Sequence, residues 1–515
     1  MKLNYKKTIY VGLAFMLISL FWQTYDAIIT KILIDKFGLN QFWSGIVMAL
    51  DNVLALFLLP LFGGLSDRTN HKKGKRTPYI VVGTVLAAFL FVGLSFTDNL
   101  QLKKLEVETT LSEKYEDFDA FSEKTPVTTW QDLYDRTVLE GSELKELKMI
   151  IDDTENTDIL TLANYYQARD VYYQYLSRIA YDVTMSSPTV FIVFIVMLLF
   201  TLFAMSIFRS PAVSLMPDIT TKQLRSKANA VINLMGALGG ITAILMLQQF
   251  KLDKHSMVSY APAFIFVGVV MIVLLVIFLW KVNEPKFVNE RLEFEAENHI
   301  IDEEEHEDHK NLQKGKFISL MLILISVFLW FMGYNAVTTK LSDYAPKVLN
   351  MGFSTPLLIA QATAIVGFIP IGILSIKLGR KKTILFGVLL LTICFGSVYF
   401  LTEKTSILLY VVLGLTGIAW ASINVNSYPM VVELSKGSDV GKYTGYYYAF
   451  SMAAQILTPV LSGLLMDNSS LGRKALFPYA TVFVVLAFFT MLFVKHGDAK
   501  PEKKSLLENF DVDMD

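Results

Sequence analysis

Charge-free apolar runs recur along the whole chain, each about 20 residues long and so able to cross a hydrocarbon core of about 30 Å as a helix. Backbone groups in lipid must be paired internally, and these runs are far too long for barrel strands. The pattern predicts twelve transmembrane helices near 8–30, 41–64, 78–97, 188–214, 226–249, 258–280, 317–339, 353–376, 383–402, 406–432, 443–466 and 475–494. The expected fold is therefore all-α and polytopic. An even number of spans puts both termini on one face. Lys2, Lys6 and Lys7, the run Arg68 to Arg76, and Lys377 to Lys382 fall on that face, which the positive-inside tendency assigns to the cytoplasm. A cell-membrane protein with both termini cytoplasmic is expected.

The two halves of this pattern repeat each other. Tyr25-Asp26-Ala27-Ile28-Ile29-Thr30-Lys31 aligns with Tyr334-Asn335-Ala336-Val337-Thr338-Thr339-Lys340 at an offset of 309, and Gly63-Gly64-Leu65-Ser66 aligns with Gly372-Ile373-Leu374-Ser375 at the same 309. Asp218 ends the fourth span as Glu433 ends the tenth, yet 155 residues separate Gly63 from Asp218 and only 61 separate Gly372 from Glu433. The surplus falls in the polar segment 98–187, which parity places on the face opposite the termini, where a small helical cap is expected. The domain reading is a first six-helix bundle over 1–280 carrying insertion 98–187, a charged linker over 281–316, a second bundle over 317–494 and a tail over 495–515. Internal repeats of this kind build many secondary transporters, with the binding site between the halves.

Composition narrows the class. Hydrophobic residues make up 53% of the chain and charged ones 18%, against about 25% charged in a soluble domain. A net charge of −1 and the absence of a basic tract with interleaved aromatics argue against a nucleic-acid partner. The lone cysteine, Cys394, excludes an internal disulfide framework and reads as a packed thiol. The basic and apolar N-terminus has no small-residue cleavage site and reads as a retained first helix. His306 and His309 sit in a run of carboxylates that reads as solvated charge rather than a metal site. No metal site, no cofactor and no nucleotide loop of the GxxxxGK[ST] kind is read, so direct ATP drive is not expected, nor is an enzyme.

The segment GGLSDRTNHKKGKRTPY, from Gly63 to Tyr79, has a weaker copy in GILSIKLGRKK, from Gly372 to Lys382, with Ile376 where Asp67 stands in the first. This pair resembles the glycine-aspartate-basic loops of the major facilitator superfamily. Small residues allow close helix approach, and a carboxylate among basic groups suits a latch. Gly63, Asp67, Arg68, Arg76, Gly372 and Arg380 are the expected cytoplasmic gate. MALDNVLALFLLPLFGGLSDRTNHKKGKRTPYI and FRSPAVSLMPDITTKQLRSKANAVINLMGALGGI look like the glycoside–pentoside–hexuronide cation symporters and the related sucrose transporters, as do GIAWASINVNSYPMVVEL and GKYTGYYYAFSMAAQILTPVLSGLLMD. One departure is Val213, where plant sucrose carriers tend to carry Arg; here Arg209 precedes Pro211 instead.

Asp26, Asp51 and Arg209 are the only charged residues well inside the predicted spans. A charge at bilayer depth costs at least about 2.5–3.5 kcal/mol on insertion scales, so it faces a partner or a watery cavity. The resemblance implies a cation-coupling role for Asp51, with H⁺ the expected ion and Na⁺ the alternative. Asp26 and Arg209 join it as coupling candidates, and an Asp–Arg209 tie between helices is the bland reading. A sugar needs flat aromatic faces and amides or hydroxyls. Trp22, Gln23 and Tyr25, then Trp330, Tyr334 and Asn335, then Trp420 and Asn424 are the expected substrate groups, helix packing being their alternative role. The reading is a monomeric symporter of a disaccharide such as maltose or sucrose. A facilitator or exporter of another small solute, or a membrane sensor, would keep the same fold.

Overall fold

The computed structural model describes residues 4–108, 177–221, 225–252, 257–297, 314–434 and 440–497. Its long helices are α1 Tyr5–Lys31, α2 Gln41–Asp67, α3 Thr77–Glu108, α4 Thr189–Ile219, α5 Arg225–Gln249, α6 Ala261–Lys281, α7 Lys314–Leu349, α8 Ser354–Leu378, α9 Arg380–Val398, α10 Leu408–Glu433, α11 Val440–Asn468 and α12 Leu476–Leu492. Among the described residues eleven helices are long and apolar enough to cross a membrane, and α8 carries a shorter apolar stretch, Ser354–Phe368. Phe89, Val276 and Phe400 stand exposed on the outside of the bundle. An outer wall so apolar suits lipid and not water.

The packing pairs repeat in the order the sequence repeat requires. Within the first six helices α1 packs on α5 and α6, α3 on α4 and α6, and α2 on α4. Within the last six α7 packs on α11 and α12, α9 on α10 and α12, and α8 on α10. Between the halves α2 packs on α11, α5 on α8 and α1 on α7.

The predicted spans are found, but three of them run on. A π-helical turn, Ile32–Lys36, carries the first helix beyond its expected end at 30. α3 continues to Glu108, past the start of the insertion at 98, and α7 continues to Leu349 instead of stopping near 339. Hydropathy ended these spans at their first charges, whereas the charges are paired inside the protein and the helix has no reason to stop. Asp26, Asp51 and Arg209 are therefore not the only charges well inside the helices, contrary to expectation: Lys36, Asp98, Lys340, Asp343 and Lys347 lie inside them too. Lys36 and Asp98 form a fully buried pair at 2.5 Å, and Asp98 also accepts from the Tyr260 N–H at 2.9 Å. That pair ties α1 to α3 and α6.

The insertion is described only at its ends. Helix 177–186 packs Ala180 and Val183 against Leu105 of α3, and Gln101 donates to the Lys36 carbonyl and to Thr184. Of the cap expected over 98–187, residues 109–176 lie outside the described residues, as do the linker histidines His306 and His309 and the tail beyond 497. The linker begins with a surface helix, Glu284–Glu297. Its buried Glu284 accepts from the backbone N–H groups of Arg76 and Thr77 and from the Thr77 hydroxyl, the last two at 2.7 Å. A carboxylate there satisfies orphan donors at the start of α3 and meets the positive end of its dipole.

Candidate functional site

The chain ends of the bundle will be called the terminal face, and the opposite end the insertion face. Between the halves lies a cavity of about 500 Å³. Trp22, Gln23 and Asp26 of α1, Asp51 of α2 and Arg209 of α4 line it from one half, and Tyr334 and Asn335 of α7 and Trp420 of α10 from the other. All three charged residues singled out in the sequence thus share one space with five of the eight predicted substrate groups.

The two aromatic groups from the second half act as one surface. Tyr334 and Trp420 stack with centroids 3.6 Å apart and planes 4° from parallel, and Phe331 meets Trp420 edge-on at 5.3 Å. Across the cavity the Arg209 guanidinium lies 5.4 Å from the Trp22 ring centre. Arg209 and Asp51 attract each other electrostatically across the cavity wall, while among the described residues no contact at ion-pair distance joins Arg209 to Asp26 or Asp51. Asp51 instead accepts from the backbone and side-chain N–H groups of Asn52, at 2.6 and 2.7 Å. The Trp22 indole N–H and the Asn335 amide N–H₂ have no partner. Buried donors without partners are costly, and in a cavity wall they are available to a ligand's oxygens.

Three predicted substrate residues lie elsewhere. Tyr25 is fully buried against Phe21 and Trp22. Trp330 is fully buried in the core. Asn424 is half-buried and does not line the cavity. Asn52, Thr338, Thr339 and Gln361 do line it and went unnamed as site residues in the sequence. Gln361 donates to the Gln23 side chain at 2.6 Å, joining α8 to α1 across the cavity.

Toward the insertion face the halves are sewn together. Asp343 of α7, fully buried, accepts from Gln41 of α2 at 2.7 Å, from Arg473 at 3.0 Å and from Lys347 at 2.5 Å. Lys347 also pairs with Asp35 of the first half. Lys340 donates to the Gln41 side chain at 2.9 Å, and Asp467 of α11 accepts from the Gln41 and Phe42 N–H groups that open α2. The backbones touch here: a Cβ on Gly45 would stand 2.1 Å from the Pro459 carbonyl oxygen, and one on Gly463 would stand 2.2 Å from that of Gln41. At the other ends of the same two helices Gly64 and Gly445 have nothing within 4 Å. α2 and α11 therefore meet at the insertion face and splay toward the terminal face.

The gate residues at the terminal face pair within each half. Arg76 binds Asp67, Asp218 and Ser66, and its Nε lies 2.8 Å from Asp218. A Cβ on Gly63 would come within 2.9 Å of Ser210, so that glycine marks a close α2–α4 approach. Arg68 is exposed, and Gly372 is loosely packed. Arg380 pairs with Glu433 at 3.1 Å, as Arg76 does with Asp218. The second half thus keeps the arginine-to-helix-end pairing while lacking the Asp67 counterpart.

Comparison with known proteins agrees with this architecture. The sequence model described as Major Facilitator Superfamily matches residues 179–402 and 358–510, and one described as MFS/sugar transport protein matches residues 10–105. An uncharacterised MFS-type transporter of Methanocaldococcus jannaschii is 30% identical over 127 residues, which is 24% of this chain and 30% of that protein. The match thus spans under a third of that relative's length. Among solved structures, the xylose transporter XylE from E. coli is 15% identical, covering 96% of this chain and 97% of its own with a TM-score of 0.55. A D-xylose-proton symporter is 15% identical over 95% and 98% with a TM-score of 0.54. A bacterial homologue of the iron transporter ferroportin is 12% identical over 95% and 99% with a TM-score of 0.57. At these identities the likeness is one of fold. With its helical repeats, apolar outer wall and central cavity, this chain belongs to the major facilitator superfamily and is a multi-pass helical membrane protein.

Proposed function

We propose that the protein is a cation-coupled sugar symporter of the cell membrane, monomeric, with both termini cytoplasmic, H⁺ as coupling ion and a disaccharide such as maltose or sucrose as cargo. The observation that carries this reading is that carboxylates Asp26 and Asp51 share one cavity with the Tyr334–Trp420 stack and the unpartnered Trp22 and Asn335 donors. Aromatic faces take sugar C–H surfaces while amides and carboxylates take hydroxyls. A carboxylate in the same space, able to take a proton or hold Na⁺, makes the arrival of cation and solute mutually dependent. The cavity volume of about 500 Å³ suits a ligand of disaccharide size. Placement in the glycoside–pentoside–hexuronide and sucrose group is supported by the sugar-transport match over residues 10–105 and by the loop sequences quoted above.

Transport would follow from the two halves rocking about this cavity. In the state described here the seam is closed at the insertion face and α2 and α11 splay toward the terminal face, which supports entry from that side. The test is uptake of labelled maltose and sucrose into proteoliposomes under an imposed proton gradient, a Na⁺ gradient or neither. Accumulation against the sugar gradient supports symport. Equilibration alone, unaffected by either cation, refutes coupling, and no uptake of either sugar refutes the substrate class.

A further inference from the structure

A second cavity, of about 670 Å³, opens at the insertion face and has no part in the mechanism above. Its walls come from three places: Asn40, Gln41 and Trp43 at the start of α2, Ser177, Arg178 and Tyr181 of the insertion's helix, and the end of α11 with the turn that follows it, from Asp467 to Arg473 without Asn468. Its floor includes Gln41, Asp467 and Arg473, which are members of the closed seam. Any solute arriving from this face meets it before the seam can open toward the central cavity.

The chemistry of the walls selects a ligand class. The charges are already matched within the protein. Arg473 holds Asp343, Arg178 lies 3.8 Å from Asp182, and Asp467 takes two backbone N–H groups. A free anion or cation therefore finds no unmatched countercharge among these three. What the walls do offer is two aromatic rings, Trp43 at 56% exposure and Tyr181 at 44%, with Ser177, Ser469 and Ser470 lining the same cavity. Uncovered rings among small hydroxyls suit a neutral polyhydroxylated molecule, for the reasons given for the central cavity.

We propose that this outer cavity is a second sugar subsite, built jointly by the insertion and the second half, which holds the solute above the closed seam. The proposal rests on the sugar reading of the central cavity. It gives the insertion a chemical task at the one place where its described residues face the transport route.

The experiment is equilibrium binding of labelled maltose and labelled sucrose to the purified full-length protein in detergent, read as number of sites. The wild type is expected to bind two equivalents of one of these sugars. Trp43→Ala and, separately, Tyr181→Ala are each expected to remove one equivalent and leave the other with unchanged affinity. Trp420→Ala is expected to weaken the equivalent that the outer variants retain. Both outer substitutions are at exposed positions, so a folding defect would appear in neither. A wild type that binds one equivalent, sensitive to Trp420→Ala and indifferent to Trp43→Ala and Tyr181→Ala, overturns the outer subsite and leaves the central reading standing. A wild type that binds neither sugar overturns both.

Discussion

The Lys347 ammonium bridges two carboxylates from opposite halves of the molecule, Asp35 at the end of the first helix and Asp343 one turn back on α7. The side chains of all three are nearly or fully buried. Breaking a buried pair by removing one partner costs about 3–5 kcal/mol, because a charge is left uncompensated. Asp35 belongs to the other half, so the loss of that pair falls on the closed seam, while the loss of the Asp343 pair falls on α7 itself. Lys347→Ala is expected to shift the population toward an open insertion face by roughly a hundredfold, on a loss of about 3 kcal/mol. Spin-label distances across α2 and α11 at that face measure the shift. Labels that stay at the closed separation would show that other contacts hold the seam.

Sterics should give the same outcome by another route. At Gly45 any side chain collides with the Pro459 backbone, whereas Gly64 on the same helix faces open space. Gly45→Val is expected to prevent seam closure and abolish net transport, with Gly64→Ala close to wild type in the same assay. Equal effects at the two positions would point to helix propensity instead.

Coupling should reside in the cavity carboxylates. Asp51→Asn is expected to abolish gradient-driven sugar accumulation while leaving sugar counterflow, which needs no net cation movement. Asp26→Asn is expected to reduce accumulation by about tenfold, the equivalent of about 1.4 kcal/mol. Retained accumulation in both variants would remove the carboxylates from the coupling step.

The Tyr334–Trp420 stack supplies the broadest aromatic face in the cavity. Trp420→Ala takes away the ring that Tyr334 and Phe331 rest on. Aromatic pairs contribute about 0.5–1.5 kcal/mol beyond buried area, so sugar affinity is expected to fall severalfold or more. Trp420→Phe should recover part of it. Isothermal titration with the transported sugar checks both.

Glu284 caps α3 from the linker. Hydrogen bonds to a charged group contribute about 1.5–3 kcal/mol each, and this carboxylate accepts from two backbone N–H groups and a hydroxyl. Glu284→Ala is expected to lower the unfolding temperature in detergent by several degrees, and Glu284→Gln by less. An unchanged transition would mean that water replaces the cap without loss.

Much of this was legible in the chain because lipid imposes a simple rule. Twelve apolar runs gave twelve helices, and the offset of 309 foreshadowed the mirrored packing of the halves. The seam was harder to read. Lys340 stood in the aligned repeat segment, but a hydropathy window ends a span at such a charge, while the protein hydrogen-bonds it to Gln41 of the other half and continues the helix. Tyr25 and Trp330 show the opposite error. A large ring fills a core as readily as it lines a site, and residue type alone does not separate the two uses. Gln361 gave no local signal, since what distinguishes it is a hydrogen bond to Gln23, 338 positions away.

The run of α3 from the Glu284 cap to the insertion has a mechanical corollary. At 1.5 Å per residue its 32 residues form a continuous rod of about 48 Å. One end is bolted to the linker and lies beside the Arg76 latch; the other carries Gln101 and Leu105, against which the insertion's helix packs. The insertion's helix, 177–186, is thus the handle of a lever whose other arm lies at the terminal face. An antibody fragment gripping that helix at its exposed Tyr181 would act on the Arg76 latch without touching it, from the far end of the bundle.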